Sequence, residues 1–308
     1  MSNVPLRVGT RGSRLALWQA NYVAAQLRPV ATDRVVELVE IQTAGDQVRD
    51  APLAQIGGEG VFTKEIQRAL LAGEVDVAVH SLKDLPTVPV QGLVLAAVPP
   101  RGPSGDVFVS LRHRSFDELP AGAVVATGSL RRRSQALHRR PDLRIVNIRG
   151  NVETRLRKLD VEELDGLILA QAGLERLGLG DGLTEQLDTA WMLPAVGQGA
   201  LGLECRADDR ATKELLERLN DPATSRAVRA ERALLRALGG GCQVPLGVST
   251  TVREKELALR AAVLQADGRR RVEAAVTGLL EEAETVGQRL AEVLLARGAG
   301  ELLAGPRN

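Results

Sequence analysis

Two runs of alternating strand-like and helix-like segments, separated by a stretch dense in proline and glycine, constrain this chain more than any other feature. In the first run, Leu6-Arg7-Val8 reads as a short strand and Gly9 to Gly12 as a loop. Ser13 is placed to cap a helix carrying Leu15, Trp18, Tyr22 and Leu27 at helical spacing. Val35 to Thr43 is a predicted strand, and Phe62 to Ala72 a predicted helix closed by Gly73. Val75 to Ser81 and Leu93 to Val98 are further strands. Pro99, Pro100, Gly102, Pro103 and Gly105 then stop regular structure and read as a hinge. The second run has strands at Asp106 to Ser110, Ala123 to Thr127, Arg144 to Ile148 and Leu164 to Ala170, with helices beginning near Ser129, Asn151 and Ala172. This alternation predicts parallel sheets with helices on both faces, in two α/β units with a cleft between them.

Beyond Asp221 the pattern changes. Ala223 to Leu238 reads as a long helix ending in Gly239-Gly240-Gly241. Strands follow at Leu246 to Val252 and Leu257 to Leu264. Asp267-Gly268 is a hairpin turn signal, Arg270 to Val276 the return strand, and Glu281 to Arg297 a closing helix. Strands beside segregated helices predict a small α+β domain.

Charge narrows the partners. Lys and Arg number 40 against 39 Asp and Glu, and aromatics are 2% of the chain. A dedicated nucleic-acid binder carries a positive excess and stacking rings, so that class is disfavoured. The single histidines His80, His113 and His138 and the distant Cys205 and Cys242 have no metal-ligand spacing, so no metal is expected. The N-terminal residues form no apolar run, and no stretch of about 18 apolar residues exists. The expected address is the cytoplasm, with no membrane partner.

The arginines carry the first chemical signal. Arg131, Arg132 and Arg133 fall in the first turn of the helix that starts at Ser129. Partial positive charge at a helix start makes cations there mildly unfavourable unless an anion is present. Solvated surface arginines are the bland alternative. The pattern repeats, however: Arg11 with Ser13, and Arg149, Gly150 and Asn151 with Arg155, also lie where strands give way to helices. Open α/β sheets bind ligands at such carboxyl ends, and free N–H groups of helix starts favour anions. Residues 101–160 hold thirteen Lys and Arg against six Asp and Glu, a local excess of +7 in a chain of net charge +1. A small polyanionic ligand follows, since arginine matches carboxylates and phosphates in two-pronged geometry.

Lys83 and Asp84 lie just after the strand ending His80-Ser81, and Pro86 stops that strand's continuation. The pair reads either as a surface ion pair or as a carboxylate for proton transfer beside an anion-holding lysine. A Schiff-base lysine is a further option. Cys205 alternates onto one face with Leu201 and Leu203 and reads as core. Cys242 follows three glycines and precedes Gln243-Val244-Pro245, an accessible loop where a thiol can act as nucleophile or attachment point. His80 reads as a core histidine. Gly57-Gly58-Glu59-Gly60 lacks the Lys-Ser/Thr ending of a phosphate loop.

Seven segments, in order, carry a resemblance: Gly9 to Ser13 with Leu15 to Gln19; Thr43 to Asp46; His80 to Pro86; Ser129 to Arg132; Arg149 to Val152 with Thr154 and Arg155; Pro194 to Gly199; and Gly240 to Pro245. Together they resemble the porphobilinogen deaminase (hydroxymethylbilane synthase) family. The resemblance implies two α/β domains similar to type II periplasmic binding proteins with a central cleft, at 1–99 plus 200–217 and 105–193. A C-terminal α+β domain at 222–308 carries the cofactor cysteine. It implies a monomer with a dipyrromethane cofactor, made from substrate and held by a thioether at Cys242. Four porphobilinogen molecules are deaminated and joined head to tail, and water then releases hydroxymethylbilane. Ammonia loss leaves an electron-deficient azafulvene, whose charge Asp84, matching the family's catalytic aspartate, can stabilise. Arg11, Lys83, Arg131, Arg132, Arg149, Arg155 and Arg176 match positions that bind the acetates and propionates. Ser13, Ser81, Thr127, Ser129 and Gln198 add hydrogen bonds. Two departures stand out. Gln55 and Glu59 replace family lysines in the loop before Phe62, and Arg133 is an additional cation without an assigned role. A non-catalytic anion-binding protein of similar fold is the alternative reading.

Overall fold

The computed structural model describes residues 4–43, 60, 63–180, 184–241 and 244–304. The chain divides into two compact units, 1–102 with 200–225 and 103–199 with 226–308. The dividing stretch runs through the proline- and glycine-rich hinge.

The first unit is built on a five-stranded sheet. Its strands are β1 (Leu6–Thr10), β2 (Val36–Glu40), β3 (Val77–Ser81), β4 (Leu93–Ala97) and β10 (Leu201–Arg206), in the order β2-β1-β3-β10-β4. β1 lies parallel to both neighbours, whereas β10 is antiparallel to β3 and β4. The sheet is therefore mixed, not parallel as the alternation predicts. β10 arrives from a distant part of the chain, so its direction is not imposed by a local crossover helix. Helices α1 (Arg14–Leu27) and α6 (Arg210–Glu217) cover one face through Val23, Ala24, Leu27 and Leu216. Helix α2 (Lys64–Leu71) covers the other through Ile66, Ala69 and Leu70. In α1 the buried stripe is Ala20, Val23, Ala24 and Leu27. Trp18 and Tyr22 share the predicted period but not that face: they stack on each other at 5.3 Å while 39% and 37% exposed. β1 also runs two residues further than read from sequence, taking in Gly9 and Thr10.

The second unit contains a like sheet of β5 (Asp106–Val109), β6 (Val124–Ala126), β7 (Arg144–Val146), β8 (Gly166–Ala170) and β9 (Glu185–Gln186), ordered β7-β6-β8-β5-β9. Here too β5 runs antiparallel to β8 and β9, while β6 is parallel to β7 and β8. Helix α3 (Leu130–Arg139) packs on one face through Ala136. Helices α4 (Val152–Val161) and α5 (Gln171–Arg176) pack on the other through Leu159 and Leu174. The same unit holds an antiparallel sheet of β11 (Leu246–Arg253), β12 (Glu256–Leu264) and β13 (Arg271–Leu279). The β12–β13 turn includes Gly268, as Asp267-Gly268 predicts. Helices α7 (Pro222–Ala237), α8 (Ala283–Ala296) and α9 (Ala299–Ala304) share one core with this sheet. Among the described residues, no helix is long and apolar enough to cross a membrane.

Candidate functional site

In each unit the polar residues singled out by sequence gather where parallel strands end. In the first, β1 and β3 run side by side with Val8 opposite Val77 and Gly9 opposite Ala78. Their carboxyl ends therefore deliver Arg11 and Ser13 to the same sheet edge as Ser81, Lys83 and Asp84. Ser13 caps α1, its hydroxyl accepting from Ala16 N at 3.3 Å. Ser81 is tied to the buried Gln19 of α1, whose Nε2 donates to Ser81 Oγ at 2.8 Å. Beyond Ser81 the chain makes one 3-10 turn, Leu82–Asp84, in which Leu82 is buried and its N–H donates to Ala200 O at 3.0 Å. That anchor fixes the half-buried Lys83 and Asp84 on a short, rigid turn. No hydrogen bond or ion pair joins the Asp84 carboxylate to another described residue. A partly desolvated carboxylate without a partner is costly unless something else occupies it.

His80 is buried in β3, as its apolar strand suggests, with Nε2 3.0 Å from Glu204 Oε2 but not in hydrogen-bond alignment. Gln67 Nε2 donates to Glu204 at 3.0 Å. The trio lies on the α2 face of the sheet and gives His80 a structural partner.

In the second unit, two strand ends converge. β6 leads through Thr127 and Gly128 to Ser129, which caps α3 by accepting from Arg132 N at 3.4 Å. Thr127 Oγ1 accepts from Ser129 N at 3.2 Å. β7 leads to Arg149, Gly150 and Asn151; Asn151 caps α4 by accepting from Thr154 N at 2.9 Å. Two glycines permit this crowding. A Cβ on Gly128 would stand 2.8 Å from Ile148 O. Gly150 has φ +111° and a Cβ there would meet Thr154 at 2.6 Å. Arg155 Nε donates to Gly150 O at 2.8 Å, and Arg176 Nη2 to Gly199 O at 2.6 Å. Half-buried Arg149 makes no hydrogen bond or ion pair with another described residue. Arg133 is exposed and turned away from the buried cluster formed by its neighbours.

Arg131 and Arg132 are not the solvated pair of the bland reading: they are 4% and 5% exposed. The anion that the helix start calls for is supplied partly from within. Asp106, fully buried, accepts from Arg131 Nη1 at 2.6 Å and Arg132 Nε at 2.9 Å. Gln198 Nε2 donates to the same carboxylate at 2.9 Å, and Gln198 Oε1 accepts from Arg132 Nη2 at 3.4 Å. Two guanidiniums on one carboxylate leave the cluster with net charge +1. Arg131 Nε is buried and has no partner.

Burial pushes the Asp106 carboxyl up, but Arg131 and Arg132 more than reverse that, leaving it at about 2 against an ordinary 3.8. A carboxyl whose folded value is depressed stabilises the fold above the unfolded value and loses that contribution as pH falls through the folded one. Its share is on the order of 2 kcal/mol. Asp76, held down by hydrogen bonds from Arg7 and Arg206 against the opposing effect of burial, acts in the same direction. Urea midpoints should therefore be level from pH 7 to 5 and fall steeply between about pH 4 and 2; a flat midpoint through that window would remove the Asp106 assignment.

Asp106 and Gln19 are functional neighbours that the sequence does not single out. Asp106 had one usable signal, a lone charge opening the otherwise apolar strand Asp-Val-Phe-Val. Cys242, Gln55 and Glu59 lie outside the described residues, as do residues 44–46 of the quoted segments.

Two family models cover most of the chain: "Porphobilinogen deaminase, dipyromethane cofactor binding domain" over residues 6–214, and "Porphobilinogen deaminase, C-terminal domain" over residues 225–296. Curated porphobilinogen deaminases are close in sequence. That of Syntrophotalea carbinolica is 52% identical over 99% of this chain and 96% of its own length. That of Geobacter sulfurreducens is 51% identical over 97% and 94%. Among solved structures, the methionine binding protein MetQ matches 70% of this chain and 89% of its own at 16% identity and a TM-score of 0.46. A periplasmic substrate-binding protein from Coxiella burnetii matches 73% and 96% at 15% identity and a TM-score of 0.45.

Proposed function

The chain belongs to the porphobilinogen deaminase family, and from that premise we propose how its residues divide the work. It is a transferase of tetrapyrrole biosynthesis, acting on porphobilinogen with a dipyrromethane cofactor. The observation that carries the assignment of roles is Asp84: a half-buried carboxylate on a rigid turn, with no described partner of its own.

Porphobilinogen reacts by losing its aminomethyl nitrogen as ammonia, which leaves positive charge on its pyrrole. Asp84 accepts a hydrogen bond from the pyrrole N–H and stabilises that charge as it develops, where low local dielectric strengthens the interaction. Asp84 would also take up the proton that the chain-end pyrrole carbon gives up once it has bonded to the aminomethyl carbon that ammonia left. Lys83 and Arg11, at the same sheet edge, hold substrate carboxylates, while Ser13 and Ser81 donate or accept beside them.

The donor set of the second unit fits the dipyrromethane. That group bears acetates and propionates, and the Arg131–Arg132–Asp106 cluster keeps one net positive charge and an unused buried N–H. When bound, the dipyrromethane supplies the pyrrole carbon to which new units are joined. Arg131, Arg132, Arg149, Arg155 and Arg176 pair with carboxylates, Thr127, Ser129 and Gln198 shape the polar wall, and Cys242 is the thioether anchor. Residues 222–308 act as a domain of their own carrying that anchor. The near-zero net charge speaks against a dedicated nucleic-acid partner; a cytoplasmic monomer without a membrane partner is what membership of the family implies.

Incubation of the purified protein with porphobilinogen tests the reading. Release of ammonia, four per hydroxymethylbilane formed, is expected. Saturable binding without ammonia release would point instead to a non-catalytic anion-binding protein.

A further inference from the structure

We propose that Asp106 is a positioning residue: its buried carboxylate sets the Arg131 and Arg132 guanidiniums in place before the carboxylates of the dipyrromethane reach them. The inference rests on the cofactor reading above. It concerns a residue that makes no contact with substrate and acts only through the two arginines.

Four hydrogen bonds converge on the two Asp106 oxygens, and Arg132 Nη2 adds an ion-pair contact to Oδ1 at 2.8 Å. Oδ2 takes Arg131 Nη1 at 2.6 Å, and Oδ1 takes Arg131 Nη2 at 3.2 Å, Arg132 Nε at 2.9 Å and Gln198 Nε2 at 2.9 Å. Each guanidinium has a second hold on the backbone, Arg131 on Leu193 O at 2.6 Å and Arg132 on Ile168 O at 3.2 Å. The loop bearing Gln198 is itself fixed. Gln198 Nε2 donates to Ser104 O at 2.6 Å, and Gly197 N donates to Glu231 Oε2 at 2.7 Å. Glu231, fully buried in α7, also accepts from Thr250 Oγ1 at 2.8 Å. The carboxylate thus sits in a fixed frame, with each guanidinium held both by Asp106 and by a backbone carbonyl.

The arrangement has more cation than its own fold requires. A structural ion pair is neutral and uses up its donors, because stranded buried charge is costly. Here the cluster keeps +1, and each guanidinium brings five N–H groups of which Asp106, Gln198 and the two carbonyls use only part. The buried Arg131 Nε has no acceptor at all. An arginine pair free to rotate would lose side-chain entropy on capturing a ligand carboxylate; one already held by Asp106 has lost it during folding. Without Asp106 the two cations would also repel one another in a dry site.

The test uses full-length wild type, Asp106→Asn and Asp106→Glu. Each is stripped of or isolated without cofactor, then given porphobilinogen, and the two-pyrrole mass gain is followed by intact mass spectrometry against substrate concentration. Thermal melts run alongside. Asn keeps the shape but removes the charge; Glu keeps the charge but shifts it by one methylene. The expected result for Asp106→Glu is a cooperative melt with at least a ten-fold higher half-saturating concentration for loading, and for Asp106→Asn a larger loss still. A purely structural residue would reduce the amount of competent protein at unchanged half-saturation, and that pattern would overturn the proposal. If Asp106→Asn does not fold, Asp106→Glu alone decides by the same criterion. A wild type that neither carries nor gains pyrrole mass would overturn the cofactor reading itself, and the inference with it; variants that load as wild type does would sink only the role of Asp106.

Discussion

Asp84→Asn should fold, carry its dipyrromethane and lose turnover by about 10²- to 10⁴-fold, the range that general acid–base and charge stabilisation contribute. The separation of effects follows from the site. The Asp84 side chain has no hydrogen bond or ion pair within the described residues, so its charge holds nothing together. The turn that carries it is anchored instead by the buried Leu82 and by the Leu82 N–H on Ala200 O at 3.0 Å. Stability should move by no more than about 0.5 kcal/mol, as for surface substitutions without a lost contact. Steady-state rates, a thermal melt and an intact mass on one preparation check all three parts. Near-normal turnover would take Asp84 out of the chemistry, and a collapsed melt would mean that its charge serves the fold. Asp84→Glu, which returns the charge with altered reach, should recover part of the rate.

The second large effect separates the two thiols. Cys242→Ser should be isolated without the two-pyrrole mass and without turnover, because a serine hydroxyl is a far poorer nucleophile than a thiolate. Cys205→Ser should keep the adduct. Cys205 is fully buried in β10 within the core of the first unit, and burial pushes its thiol up to about 11. At pH 7 roughly one molecule in ten thousand would carry that thiolate. The substitution there acts on stability instead, costing about 1–3 kcal/mol for a hydroxyl placed among apolar neighbours. Intact masses of the two variants decide the matter: an adduct retained by Cys242→Ser and missing from Cys205→Ser would reverse the assignment.

Much of the local structure was legible from residue order. Ser13, Ser129 and Asn151 cap the three helices they were expected to start, because a side-chain oxygen before an apolar-periodic run leaves few other uses for itself. The strands fall where they are expected, but β2, read as Val35 to Thr43, ends at Glu40, and β13, read as Arg270 to Val276, runs on to Leu279. Cys205 is core, as its alternation with Leu201 and Leu203 indicates. Trp18 and Tyr22 fit the helical period of α1 yet lie outside its buried face. Period alone does not say which of two overlapping stripes faces the sheet, and the small side chains of Ala20 and Ala24 pack closer.

By itself, the sequence determined the alternation of strands and helices, the break after β4, the delivery of cations to strand ends and the family that reaction belongs to. These depend on neighbours within a few residues or on motifs read in order. Tertiary structure alone decided that β10 enters the first sheet between β3 and β4, that both α/β sheets are mixed, and that Arg131 and Arg132 share Asp106. Asp106 lies 25 residues from Arg131 and 92 from Gln198. Partners so far apart in the chain meet only when packing closes the intervening loops. A charge in an apolar strand can announce that it needs a partner, but the fold chooses which one.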